Sequence, residues 1–148
     1  MSPRMTNPSL VVPDALQPLL DLSDAINKAG VPQRTLDLVR LRISQINGRV
    51  YTFPDDLWKS GDADGRLLLV ADWREAPDFD AAERAALALA EAASRLDGRE
   101  DPVPDEIWDE AARHYDEKAL GALVMQIGLV NLWNCVNVST RQAPADWR

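Results

Sequence analysis

Apolar residues recur at intervals of three and four along most of the chain, and alternating β-branched runs are scarce. The pattern therefore predicts an all-α fold in a single domain. The first predicted helix spans about Asp14 to Lys28, with Leu16, Leu19, Leu20 and Ile26 inward, Pro18 near its first turn and Gly30 just past its end. The second begins at Pro32, a good first helical residue, and stops at Gly48. In it Leu36, Val39, Ile43 and Ile46 form one buried stripe, while Arg34, Asp37 and Arg40 lie on a more polar side. Two short helices are expected next, from Pro54 through Lys59 with Thr52 or Phe53 at the cap position, and from about Asp64 to Trp73. In "FDAAERAALALAEAASRLDG", Asp80 is the expected N-cap, Glu83 completes a capping box, and Gly98 follows the last turn. "DEIWDEAARHY" predicts an amphipathic helix with Ile107, Trp108, Ala111 and Tyr115 inward.

The last predicted helix, about Glu117 to Val138, is apolar nearly all round and is expected to be central or shared with another subunit. Gly121 and Gly128 face one side and would let another helix approach closely. Asn131, Asn134 and Asn137 form a polar strip on this element. Buried amides need partners, so the strip is either a hydrogen-bond network or the wall of a polar cavity. Residues 1–12 read as an N-terminal extension, 13–141 as the domain, and 142–148 as a tail without periodicity that packs on the surface or frays.

Charge and composition narrow the function. The chain has 148 residues, enough to bury roughly 70% of its unfolded surface in one core. Its net charge of −8 and lack of a basic stripe argue against nucleic-acid binding. The N-terminal stretch has no continuous apolar core, and no later run reads as long enough to cross a bilayer, so a cytoplasmic protein without a membrane partner is expected. One cysteine, Cys135, and one histidine, His114, preclude an intrachain disulfide and a Cys/His zinc site. No metal or cofactor is expected. His114 is expected at the surface and Cys135 as a buried, inert thiol.

Four segments bring in a resemblance: "DLVRLRISQING" at Asp37 to Gly48, "ADWREAPDF" at Ala71 to Phe79, "ERAALALAEAA" at Glu83 to Ala93, and "NLWNCVNVS" at Asn131 to Ser139. Together they resemble the carboxymuconolactone decarboxylase-like superfamily, and within it the alkylhydroperoxidase AhpD-like, peroxidase-related members. The likeness covers about Pro13 to Arg141. It implies a helical bundle whose helices pack across a homo-oligomer interface, in a dimer, trimer or hexamer, and alkylhydroperoxidase or decarboxylase activity. In the redox members a Cys-x-x-Cys pair works with a histidine and an upstream carboxylate.

Laid on this chain, the two thiol positions are Arg49 and Thr52, the histidine position is Asp56, and the carboxylate is Asp37. Arginine is neither a nucleophile nor able to lose its proton. A threonine hydroxyl needs a base beside it. The resemblance therefore implies an inherited fold with a degenerate redox site and no dithiol peroxidase chemistry, in a ligand-binding or structural protein. Two arrangements remain open for Asp37, Arg49, Thr52 and Asp56. They form either a self-satisfied charge cluster, or a pocket in which Arg49 binds a small carboxylate and Asp37 or Asp56 handles a proton, as an acid-base lyase or isomerase would. Trp58 would roof such a pocket, with Asn131 and Asn134 in its wall. A weaker alternative is peroxide chemistry at Cys135 alone.

Overall fold

A computed structural model describes residues 2–52 and 65–146. The short helix expected from Pro54 to Lys59, and with it Asp56 and Trp58, lies outside the described residues. In chain order the elements are α1 (Pro8–Val11), α2 (Leu16–Asn27), α3 (Gln33–Ile46), β1 (Tyr51–Thr52), a 3-10 helix (Gly65–Asp72), α4 (Ala81–Ser94), α5 (Asp105–His114), α6 (Glu117–Ser139) and β2 (Ala145–Asp146). The fold is all-α apart from the two-residue strands.

α3, α4 and α6 pack on one another and build the core. One cluster joins Ile26, Leu36, Val39, Ile43, Leu89, Leu123 and Ile127. A second joins Leu38, Leu41, Val70, Trp73, Phe79 and Leu87. α3 is thus buried on two sides. The stripe through Leu36, Val39 and Ile43 meets α4 and α6, while Leu38 and Leu41 meet the 3-10 helix. The caps form as the sequence predicts: Asp80 Oδ1 accepts from the Glu83 N–H at 2.8 Å, and Glu83 Oε1 accepts from the Asp80 N–H at 3.0 Å. Asp116 caps α6 by accepting from the Ala119 N–H at 2.8 Å.

Arg84 explains why "WREAPDF" holds a fixed shape. Its guanidinium donates to the carbonyls of Phe79 at 3.0 Å and Trp73 at 2.8 Å, and also to those of Arg74 and Ala76. Charge-assisted bonds to several carbonyls satisfy a segment that has no ladder of its own.

Several expectations need correction. α2 begins at Leu16 because Asp14 has a left-handed φ of 64°, which a right-handed helix cannot accommodate. Leu20 is 44% exposed, since α2 packs only through the side that carries Leu19, Leu22 and Ile26. α4 stops at Ser94, before Gly98, and the chain turns through Asp97 and Gly98. Trp108 is 41% exposed and not inward. α6 does reach membrane-spanning length and hydropathy, with a mean hydropathy of 1.6, but half of that stretch is buried within the fold, as in a core helix.

Up to residue 146 the C-terminal segment packs on the fold. β2 pairs in parallel with β1, Tyr51 with Ala145 and Thr52 with Asp146. The N-terminal segment docks beside it: the Arg4 N–H donates to the Thr140 carbonyl at 2.8 Å, and Asn7 Nδ2 donates to Asn137 Oδ1 at 3.2 Å. Both segments therefore converge on the C-terminal end of α6, next to the turn that follows α3.

Candidate functional site

α3 ends at Ile46, and Gly48 takes a left-handed φ of 75°, which turns the chain toward β1. The Arg49 N–H closes this turn on the Ser44 carbonyl at 2.8 Å. Asn47 Nδ2 donates to Asn131 Oδ1 at 2.7 Å, and Asn131 Nδ2 donates to the Ile127 carbonyl at 3.0 Å. Ser44 Oγ donates to Asn134 Oδ1 at 3.3 Å. Asn134 is 2% exposed, and its Nδ2 is buried without a hydrogen-bond partner among the described residues. This amide chain locks the turn onto α6.

Beyond the turn lies a pocket of about 260 Å³ between α2, α3, β1 and α6. Asp37, Arg40, Arg49, Tyr51, Trp133 and Asn137 line it. Asp37 Oδ1 accepts from Gln33 Nε2 at 3.0 Å, one turn back along α3. The Arg40 guanidinium lies 5.1 Å from the centre of the Tyr51 ring, a cation–π distance. Arg49 is half-buried, and its Nη1 donates to the Gln142 carbonyl at 3.0 Å. That oxygen is a neutral acceptor, and no carboxylate among the described residues is ion-paired with Arg49. Arg49 also borders a second opening of about 260 Å³ against Arg141, Gln142 and Pro144.

Of the residues picked from the sequence, Asp37 and Arg49 share this pocket. Thr52 does not line it: it is exposed, and its hydroxyl donates to the Ala145 carbonyl at 3.4 Å. Asp56 and Trp58 fall outside the described residues. Asn131 and Asn134 are not its wall either, because their amides are turned to α3's end. The α6 amides that line the pocket are Gln126 and Asn137. Arg40, Tyr51 and Trp133 were missed. Arg40 was within reach of sequence reasoning, since it stands three residues after Asp37 and shares its face. Cys135 is exposed, not buried. It lies two residues from both Trp133 and Asn137, so on a helix it points away from the pocket. His114 is at the surface, with Nε2 3.2 Å from Glu110 Oε1. Among the described residues no group of three or more His, Cys, Asp or Glu is placed to hold a metal ion.

A second polar cluster lies between α3, α4 and the 3-10 helix. The Glu91 carboxylate accepts from Arg42 Nε at 2.7 Å, Trp73 Nε1 at 2.9 Å and Arg74 Nη1 at 2.7 Å. Burial raises the Glu91 carboxyl, but the bonds from Trp73, Arg42 and Arg74 and the Arg42 charge outweigh it and hold it at about 2. A third feature is Tyr115, whose hydroxyl donates to the Ala82 carbonyl at 2.7 Å. Burial pushes this phenol up to about 12, assisted by the Asp80 and Glu83 charges and opposed by its bond with Thr35.

The profile of the carboxymuconolactone decarboxylase family matches residues 13–92. The uncharacterised protein YdfG of Bacillus subtilis (strain 168) is 26% identical over 132 residues, which cover 87% of this chain and 88% of that protein. The uncharacterised protein YnjA of Escherichia coli (strain K12) is 45% identical over 74 residues, 50% of this chain and 38% of that protein. A crystal structure of a protein of unknown function from Agrobacterium tumefaciens, proposed to be the antioxidant defence protein AhpD, superposes with a TM-score of 0.81 at 25% identity. That match covers 97% of this chain and 98% of the other.

Proposed function

The chain belongs to the carboxymuconolactone decarboxylase family, and we propose that it is an AhpD-like member whose thiol site has become a pocket for a small carboxylate. The observation that carries this reading is the Arg49 guanidinium, held in the pocket by the neutral Gln142 carbonyl, with no acid among the described residues ion-paired to it. A guanidinium bonded to a carbonyl keeps its full charge and further N–H donors for an anion. Arg40 adds a second cation to the same wall, and Tyr51 and Trp133 offer flat apolar surface to the rest of the ligand. A chain with the single cysteine Cys135 has no thiol pair for dithiol peroxide reduction, and on the resemblance Arg49 and Thr52 stand at the two thiol positions.

A thermal-shift series with acetate, benzoate and succinate tests the reading. Ligand at ten times its Kd stabilises the folded state by about 1.4 kcal/mol, a rise of a few degrees in Tm. Arg49→Ala should abolish that rise. If no carboxylate stabilises the wild type, the pocket is a structural remnant.

A second reading, an acid-base lyase or isomerase, is favoured by Asp37 lining the same pocket as Arg49. In that case Asp37→Asn retains carboxylate binding and loses turnover. Exposure of Cys135 supports the weaker third reading, peroxide reaction at a single thiol. It requires peroxide consumption that disappears in Cys135→Ala.

A further inference from the structure

The C-terminal end of α6 is closed without the side chain of Arg141, which stands just past it. The Arg141 N–H donates to the Val138 carbonyl at 3.2 Å and the Gln142 N–H to the Asn137 carbonyl at 2.9 Å, the paired bonds of a Schellman turn. The Val136 carbonyl accepts from the Thr140 hydroxyl at 2.7 Å, and the carbonyls of Ser139 and Thr140 accept from Arg4. Every carbonyl from Val136 to Thr140 therefore has a donor. An arginine near a helix C-terminus commonly bonds such carbonyls, but here none is left for it. Arg141 also takes a left-handed φ of 56°. That turn position favours glycine, because a Cβ crowds the backbone there, so any side chain strains it. The Arg141 guanidinium is exposed and has no hydrogen bond or ion pair among the described residues.

Arg141 borders the second opening of about 260 Å³, together with Arg49 and Asn137. Arg49 spends one N–H on the Gln142 carbonyl, and its others have no partner among the described residues. Asn137 Oδ1 accepts from Asn7 Nδ2 at 3.2 Å, so the end of Asn137 that remains is its Nδ2, a donor without a partner among the described residues. Three sets of N–H donors thus meet at one opening. No acidic residue among the described ones lines it, in a chain with 24 Asp and Glu against 16 Lys and Arg. Its rim is aliphatic, through the exposed Val50 and Val138. The pocket on the other side of Arg49 is different in kind, since Asp37 and the rings of Tyr51 and Trp133 line that one.

A carboxylate has two oxygens in one plane and is filled by a single guanidinium fork. Two guanidiniums and an amide N–H call for more oxygens and more charge. A phosphoryl group has both, with three acceptor oxygens and a charge of about −1.5 to −2 at neutral pH. We infer that the outer opening binds a phosphate group, free or carried on a small ester. Arg141 and Arg49 bond its oxygens, Asn137 Nδ2 donates to it, and the carbon part of an ester lies against Val50 and Val138. Arg49 is shared with the carboxylate pocket, but Arg141 lines the outer opening alone, so the two sites are separable by substitution.

Calorimetric titration of the full chain with inorganic phosphate, at constant ionic strength, should show saturable binding. Arg141→Gly should weaken it about tenfold or more, and should raise the ligand-free Tm because glycine relieves the left-handed turn. Arg49→Ala should weaken phosphate binding likewise. Arg99→Ala, at an exposed arginine paired with Asp97, should leave it unchanged. The carboxylate-dependent rise in Tm should persist in Arg141→Gly, and phosphate is titrated without any carboxylate present, so failure of the carboxylate pocket and failure of this site are distinct results. Equal affinity for inorganic phosphate and glycerol phosphate assigns the free anion, whereas tighter binding of the ester assigns a ligand that also uses Val50 and Val138. Heat that never saturates, an equal response to chloride, or an affinity unchanged in Arg141→Gly overturns the proposal. So does a lower ligand-free Tm in Arg141→Gly, which would make Arg141 a structural residue of the turn.

Discussion

Arg42 and Arg49 sit seven residues apart around the end of α3 and are held in opposite ways. Arg42 shares the Glu91 carboxylate with Arg74 and Trp73, so its charge is matched by an acid that stays ionised down to a pKa of about 2. Arg49 bonds to the carbonyl of Gln142, which fixes its direction, and no carboxylate among the described residues matches its charge. A matched charge serves the fold, whereas a half-buried one with only a neutral partner among the described residues is, on the function proposed above, a place for an anion to bind. Arg84 refines the point. It too has neutral partners, but it meets four carbonyls and has little left to offer a ligand.

The contrast can be broken by substitution. Glu91→Ala should show the largest effect, a loss of about 3 kcal/mol in chemical denaturation, because it leaves Arg42 and the Trp73 N–H without their acceptor. Carboxylate-induced stabilisation should survive in it. Acid should reproduce part of that loss in the wild type. The Glu91 carboxyl is lowered on folding, so its contribution is complete above the ordinary value of 4.5 and disappears as pH falls toward about 2. Over that window stability should drop by on the order of 2–3 kcal/mol more than in Glu91→Gln. Arg84→Lys, which keeps charge but loses the planar fork, should cost about 2 kcal/mol and leave ligand response intact. The smallest stability change, under about 1 kcal/mol, belongs to Arg49→Ala, and that variant alone should lose the carboxylate-dependent rise in Tm. If Arg49→Ala instead destabilises as strongly as Glu91→Ala, the distinction between the two clusters fails.

The helices were legible because their signals are local. The Asp80–Glu83 capping box, Gly48 past the end of α3 and the Leu36, Val39, Ile43 stripe each report on their own segment. α6 was legible as a helix but not in orientation, since an element apolar all round carries no periodic mark of which side faces out. The second buried side of α3, through Leu38 and Leu41, depends on where the 3-10 helix packs, and one stripe cannot foretell that. At the site, Asp37 and Arg49 came from the resemblance. The partner of Arg49 did not, because a backbone carbonyl has no side-chain signature in the tail "RQAPADWR". For the same reason the pairing of β1 with β2 was invisible, and Asn137 looked no more eligible for the pocket than Asn131 or Asn134.

That pairing bears on the order of folding. The contacts that tie Arg49 and Thr52 to the C-terminal segment join residues 93 positions apart. They are few and near the surface, and they close a loop whose entropic cost must be met before they form. The helical core can assemble without them. The pocket wall should therefore be the last part to fold and the first to open, with amide hydrogens at Tyr51 and Ala145 exchanging well ahead of those in α3 and α6.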